Sequence, residues 1–278
     1  MKRLFFNLVL VTMILPLYAQ VQWRNDRTGV YNETGLKKSW AETGPEMLWF
    51  FDGLGLGYSS VTIDKEKMFV TGYTEGKGYL YVLNMDGKLL NKIEYGREFD
   101  NSYPGARSAV MHNNGKLYVV SGMAELFCYD IQTLNLLWKK NYEKDYGAEN
   151  TKHGWHGPPL FVGEKMIIAP GSEKDFVVAL NKTTGDIIWS SKRETSNKDM
   201  AGYGVPIYID DQQIPQVVVM MADHIIGLDI SNGKMLWSFP HTNRFREHPN
   251  TPVYSNGMLL CTSSYGKGSV MLRLIDGG

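Results

Sequence analysis

Three observations predict an all-β fold, a β-propeller of four-stranded blades. First, a hairpin unit recurs along the chain. Its fullest copy is Phe176 to Ser190 (FVVALNKTTGDIIWS), with others at Leu126 to Lys139 (LFCYDIQTLNLLWK), Ile225 to Ser238 (IIGLDISNGKMLWS) and Leu80 to Asn91 (LYVLNMDGKLLN), the last without its Trp. Second, Trp138, Trp189 and Trp237 stand 51 and 48 residues apart, against roughly 40–50 residues for one propeller blade. Third, 29 Gly, 16 Tyr and 7 Trp among 278 residues suit a protein made of antiparallel strands and many turns.

Within the unit, Val177 to Leu180 reads as a strand, Asn181 to Gly185 as a tight turn and the run ending on Trp189 as the returning strand. Gly185 supplies a positive φ without a Cβ, and the Asn181 side chain can bond the turn backbone. Four whole blades follow in order, at Tyr58–Gly96, Tyr103–Tyr142, Gly154–Lys192 and Gly202–Pro240. Each begins with an innermost strand (Ser60–Ile63, Ser108–His112, Pro159–Val162, Val205–Ile209) and continues with an apolar one (Met68–Thr71, Leu117–Ser121, Met166–Ala169, Val217–Met220). A fifth unit starts at His248, carries strands at Met258–Thr262 and Val270–Leu274, and lacks an outer strand. The expectation is an incomplete ring, four full blades plus a partial fifth, forming an open arc. The rival is a closed five-bladed ring.

The N-terminal region divides in two. Residues 1–19 read as a signal peptide: Lys2 and Arg3 precede an apolar run to Leu17, and Ala19 offers the small residue a signal peptidase takes. The run is shorter than the about 20 residues of a membrane span, so no transmembrane segment is expected and the chain is placed in the periplasm or outside the cell. No Cys follows the run, which leaves lipid attachment there without an acceptor. Residues 20–45 form an extended arm, and 46–278 form the propeller. At its start, Glu46–Phe51 (EMLWFF) matches Lys234–Phe239 (KMLWSF) position for position, as an outer strand without the rest of its blade. Such a strand can complete the blade built by the other terminus and so remove exposed sheet edges.

The chain has 29 basic and 29 acidic side chains, a balance that argues against nucleic acid or an anionic membrane surface as partner. Cys128 and Cys261, its two cysteines, both sit in apolar strands and read as small core residues. No CxxCH is present, which excludes covalent c-type haem. GLGLG at Gly53–Gly57 precedes a strand rather than a helix, so it is a loop and not a phosphate cradle.

The repeat of an apolar strand, Leu-Asp or Leu-Asn, a Thr-Gly-like turn and a strand ending in Leu-Trp or Ile-Trp resembles the pyrroloquinoline quinone (PQQ) repeat of quinoprotein-type propellers. It covers Glu46 to Gly278. The arm QWRNDRTGVYNETGL followed by LWFFDGLGLGYSS is similar to the start of exported bacterial PQQ-like repeat proteins. The resemblance implies the fold and leaves function to be argued from the site. It spans alcohol-oxidising quinoproteins and a non-catalytic subunit of the outer-membrane barrel assembly machine. The dehydrogenase pattern brings PQQ, a calcium ion, a carboxylate base and two adjacent cysteines. This chain has no adjacent cysteines and no acidic residue matching the base. The assembly subunit is a lipoprotein, and the N-terminal Cys it needs is missing here.

Candidate site residues come from the long connections between blades, which in a propeller converge where the axial channel opens. They are Arg107, His153, Trp155, His156, Tyr203, Arg244, Arg246 and His248. The arginines suggest an anionic small molecule or polymer as ligand, held by bidentate guanidinium contacts, or else a protein partner. Arg107, His156 and His248 are expected to meet around the axis. His153 and His156 have metal-like spacing but no third ligand at a telling distance, so no metal and no catalytic residue is assigned. The sequence reading is an exported, non-catalytic PQQ-like propeller acting as a binding or scaffolding module, without a required cofactor. A PQQ- and calcium-dependent dehydrogenase is the alternative.

If residues 1–19 are cleaved on export, N-terminal sequencing of periplasmic or secreted protein will begin at Gln20. Full-length protein recovered from the cytoplasm would overturn that reading.

Overall fold

The structure, a computed structural model, describes residues 34–149, 151–196 and 198–274. The expected signal peptide and the arm as far as residue 33 lie outside them. Residues 34–45 run without regular structure. Five antiparallel sheets follow, each with its strands in chain order. The first holds β1 (Thr62–Asp64), β2 (Lys67–Thr74), β3 (Lys77–Asn84) and β4 (Leu89–Arg97). The second holds β5 (Met111–Asn113), β6 (Lys116–Val120), β7 (Glu125–Asp130) and β8 (Leu136–Asn141). The third holds β9 (Leu160–Val162), β10 (Lys165–Ile168), β11 (Val177–Asn181) and β12 (Ile187–Ser191). The fourth holds β13 (Ile207–Ile209), β14 (Gln216–Met220), β15 (His224–Asp229) and β16 (Met235–Pro240). The fifth holds three strands, β17 (Val253–Ser255), β18 (Met258–Ser263) and β19 (Gly268–Arg273).

Side chains alternate across each strand, and here both faces are covered. Leu117 and Val119 of β6 pack toward the first blade with Phe69, Leu80 and Phe127. Tyr118 and Val120 pack toward the third with Met166, Ile168 and Val178. The middle strands are therefore continuous apolar runs rather than alternating ones. The cysteines fall in different interfaces, Cys128 between the second and third blades and Cys261 between the fourth and fifth, and both are free.

The innermost strands pair over only three residues each, shorter than the sequence suggests. Their leading residues bond across blades instead. The Ser108 and Val110 carbonyls accept from the hydroxyls of Thr71 and Thr62, and Pro159 and Pro206 have no N–H to offer a ladder.

The turns behave as their residues dictate. Asn181 Oδ1 accepts the N–H groups of Thr183 and Thr184, and Asp229 and Asp130 cap their own turns in the same way. Gly185 and Gly233 have φ of +77° and +78°. These turns also receive the indole of the preceding blade. Trp138 Nε1 donates to Thr183 O at 2.9 Å and Trp189 Nε1 to Ile230 O at 3.0 Å. The first interface lacks both halves of this contact. Asn91 replaces the Trp, and Leu134 replaces the Gly, holding φ +60° and packing into the apolar interface. Opposite each Trp in the ladder stands a small residue, Cys128, Ala179 or Gly227, and a register shift follows immediately after it.

Glu46–Phe51 docks by the same contact. Trp49 Nε1 donates to Met85 O at 2.9 Å beside Gly87, and Phe51 packs on the open face of the first blade. Among the described residues this segment forms no ladder with β19. Met47, Leu48 and Phe50 stay largely exposed.

The connection after the second blade, read from sequence as a loop, holds a short helix, α1 (Tyr142–Tyr146). Asn141 caps it by accepting from Lys144 N, Asp145 accepts the Asn141 N–H, and Gly147 ends it at φ +66°.

A Cβ at Gly233 would overlap the Trp189 ring, whereas one at Gly163, also at positive φ, would meet nothing. Gly163→Ala should cost about 1–2 kcal/mol of backbone strain. Gly233→Ala should cost about 1–3 kcal/mol more. Urea unfolding of the two variants checks this, and equal losses would refute the packing role.

Candidate functional site

The connections between blades converge on one concavity of about 460 Å³. Its walls are Tyr103 from the first connection, Lys152, His153 and His156 from the second, Tyr203 from the third, Phe245, Glu247 and Pro249 from the fourth, and Tyr265 from the β18–β19 turn. A second cavity of about 200 Å³ continues along the innermost strands, lined by Tyr58, Ser60, Arg107, Ala109 and Val205 among others. His156, Tyr203 and Pro249 line both.

Of the residues predicted from sequence, His153, His156 and Tyr203 face the larger cavity. The rings of His156 and Tyr203 stack at 4.7 Å with 17° between planes, and the His153 backbone N–H donates to the Tyr203 hydroxyl. His153 lies between Ser102 Oγ, 3.0 Å from Nδ1, and Glu247 Oε1, 3.4 Å from Nε2. The Ser102 contact is a hydrogen bond, and Nε2 makes a longer polar contact with Glu247. The connectivity has the look of a nucleophile–base–acid relay. Ser102 does not line the cavity, however, so the chain serves to hold Glu247. Glu247, 9% exposed, also accepts from the Tyr265 hydroxyl at 3.2 Å, with Lys152 Nζ 3.8 Å away.

The arginines are committed elsewhere. Arg107 gives its guanidinium to the carbonyls of His153, Phe99, Gly105, Ser102 and Tyr103, tying the first connection to the second. Arg246 is bidentate to Asp223, 2.9 Å on each oxygen, and also bonds Lys198 O. Arg244 lies over the Phe245 ring at 4.6 Å, on the rim. An anion therefore finds no free bidentate guanidinium from Arg107 or Arg246. Trp155 and His248 are scaffold as well. Trp155, 7% exposed, meets Tyr142 edge-on at 5.1 Å. His248, fully buried, sits 3.2 Å from Ala222 O beside His241. Arg107 and His156 do share the axial cavity, but His248 does not join them.

Asp199, fully buried, organises the floor beneath the fourth connection. It takes the N–H groups of Met200 and Asp223, the Thr195 hydroxyl, and His224 Nδ1 at 2.9 Å. Sequence reasoning placed Lys152, Tyr103 and Glu247 in the right loops but did not select them. Phe245 and Tyr265 carried no signal, because a turn aromatic looks alike whether it faces a cavity or solvent.

Burial pushes the His156 imidazole down to about 4 and lowers His241 and His248. In the unfolded chain these groups take a proton near 6.5. A depressed folded value means the unfolded state binds more protons below that point, so stability is full above about pH 6.5 and falls toward pH 4. His156 alone contributes about 3 kcal/mol to that fall. Denaturant melts of wild type and His156→Asn at pH 7 and pH 4 should show the variant losing about 2–3 kcal/mol less.

Comparison with known proteins agrees with this architecture. BamB from Moraxella catarrhalis superimposes with a TM-score of 0.55 at 16% identity, over 80% of this chain and 58% of that one. Quinoprotein ethanol dehydrogenases of Pseudomonas putida and Pseudomonas aeruginosa are 24% and 23% identical over 55% and 51% of this chain. The chain spans only 26% and 24% of the length of those enzymes. Residues 23–276 match the family described as outer membrane protein assembly factor BamB, and the chain belongs to that family.

Proposed function

We propose that this protein is an exported, non-enzymatic propeller that binds or scaffolds through the concavity at its axial mouth. The observation that carries this is the convergence of side chains from four connections and one hairpin turn on a single 460 Å³ concavity, within the about 300–1,000 Å³ of typical ligand sites. Rigid blades hold these loops, as a recognition surface requires. Among the described residues no helix is long and apolar enough to cross a membrane. The expected signal peptide supports export.

The cofactor reading fits the residues less well. PQQ is a tricarboxylate, and Arg107 and Arg246 are held by backbone carbonyls and Asp223. Among the described residues no three His, Cys, Asp or Glu side chains are placed to hold a metal ion. Free cysteines in separate interfaces supply no vicinal disulfide.

A photoreactive phenylalanine analogue at Tyr103 should give a discrete adduct in exporting cells, lost when Phe245 and Tyr265 become Ala. The analogue at Ile187 on the outer rim should not give that adduct. Adducts from Ile187 alone would move the site to the rim. Added PQQ and Ca²⁺ should produce no dye-linked alcohol oxidation, and stoichiometric PQQ binding with turnover would restore the enzyme reading.

A further inference from the structure

The charge balance of the mouth says what kind of ligand it takes. Four aromatic rings border it: Tyr103, Tyr203, Phe245 and Tyr265. Phe245 and Tyr265 meet edge to face at 4.6 Å yet remain 44% and 48% exposed, so the corner they form keeps apolar surface open at the cavity wall. Tyr103 and Tyr265 are held at φ of +48° and +61°. That left-handed backbone costs a tyrosine of order 1–3 kcal/mol and persists where the surroundings over-determine it.

Between the rings stands one fixed carboxylate. Glu247 is oriented by His153 and the Tyr265 hydroxyl, with Lys152 Nζ at 3.8 Å balancing its charge. An anionic ligand would meet Glu247 inside the mouth, where Arg107 and Arg246 are committed and Arg244, over the Phe245 ring, lies outside the wall. A cationic ligand would have to displace Lys152, which already lies 5.5 Å over the Phe245 ring. A neutral molecule with apolar faces and hydroxyls at its edge satisfies every group. Its faces cover the aromatic rings, and its hydroxyls donate to Glu247 and accept from Lys152 as charge-assisted bonds.

We infer that the mouth binds a neutral pyranose unit of a glycan, stacked against the Phe245–Tyr265 corner with its hydroxyls on Glu247 and Lys152. This rests on the reading of the mouth as the binding site. The carboxylate serves as acceptor, and no bond is made or broken.

Saturation-transfer NMR and calorimetry on the whole protein test it with neutral hexasaccharides of glucose (α-1,4 and β-1,4) and N-acetylglucosamine. Hexagalacturonate, hexaglucosamine and a neutral aromatic hexapeptide are the competing probes. At least one neutral hexasaccharide should bind, with its ring protons saturated from the protein. Tyr265→Ala and Glu247→Gln should each weaken it by about tenfold or more, and Ile187→Ala should leave it unchanged. Tyr265 is half exposed, so its loss tests binding without emptying a core. Tyr265-dependent binding of a charged probe or the peptide, with no neutral sugar bound, would overturn the ligand class and leave the mouth as the site. Neutral sugars that bind equally well to the Tyr265→Ala and Glu247→Gln proteins would place them elsewhere and overturn the assignment. Binding of no probe would overturn it too, and the cross-link from Tyr103 would then decide separately whether the mouth binds anything.

Discussion

The contact on which the array depends is the indole laid on the next blade's turn. A strand hairpin cannot bury both faces alone, so each blade needs a neighbour in a fixed position. Trp138 and Trp189 set that position with one hydrogen bond to a turn carbonyl and one face against a glycine. Truncating a buried Trp such as Trp189 costs about 3–5 kcal/mol, enough to fix how two blades meet, and the half-buried Trp138 makes the same contact. The small residues Cys128, Ala179 and Gly227 opposite each indole follow from the same need for space. The first interface shows the rule by its exception: Trp and Gly are lost together there, and Leu134 fills the gap from a backbone conformation that disfavours it.

With the blades fixed, the connections between them converge on one mouth, and charged groups such as Arg107, Arg246, Asp223 and Asp199 hold them. Arg107 reads as an anion-binding residue in the sequence and is a backbone clamp in the fold. Arg246 and Asp223 do the same for the fourth connection, over the buried Asp199. What remains for a ligand is aromatic surface, two histidine rings and the Glu247–Lys152 pair. The position of Glu247 depends on a histidine nearly a hundred residues away in the chain.

The blades were legible because a hairpin needs only local information: alternating apolar residues, a turn glycine and a capping Asn or Asp. The capping Asn or Asp recurs in all four complete units, and the turn glycine in three of them, Leu134 standing in its place in the second. The helix at Tyr142–Tyr146 was equally local, with an Asn cap and a closing glycine, but it was read as a loop because five residues are too few to show a helical period. Shortened innermost strands were not legible, since their missing partners are hydroxyls on a neighbouring blade.

By itself the sequence determined the fold class, the repeat and the loops in which a site would lie, because each is encoded within about fifty residues. Only the tertiary structure decided which side chains in those loops are free. His153, His156 and Tyr203 face the cavity, while Trp155 and His248 fill the interior and Arg107 and Arg246 bind the loops together. The physical reason is that a polar side chain's role is set by whether a partner lies within hydrogen-bond reach. For these residues the deciding partners are distant in sequence, as His153 is from Arg107 and Asp223 from Arg246.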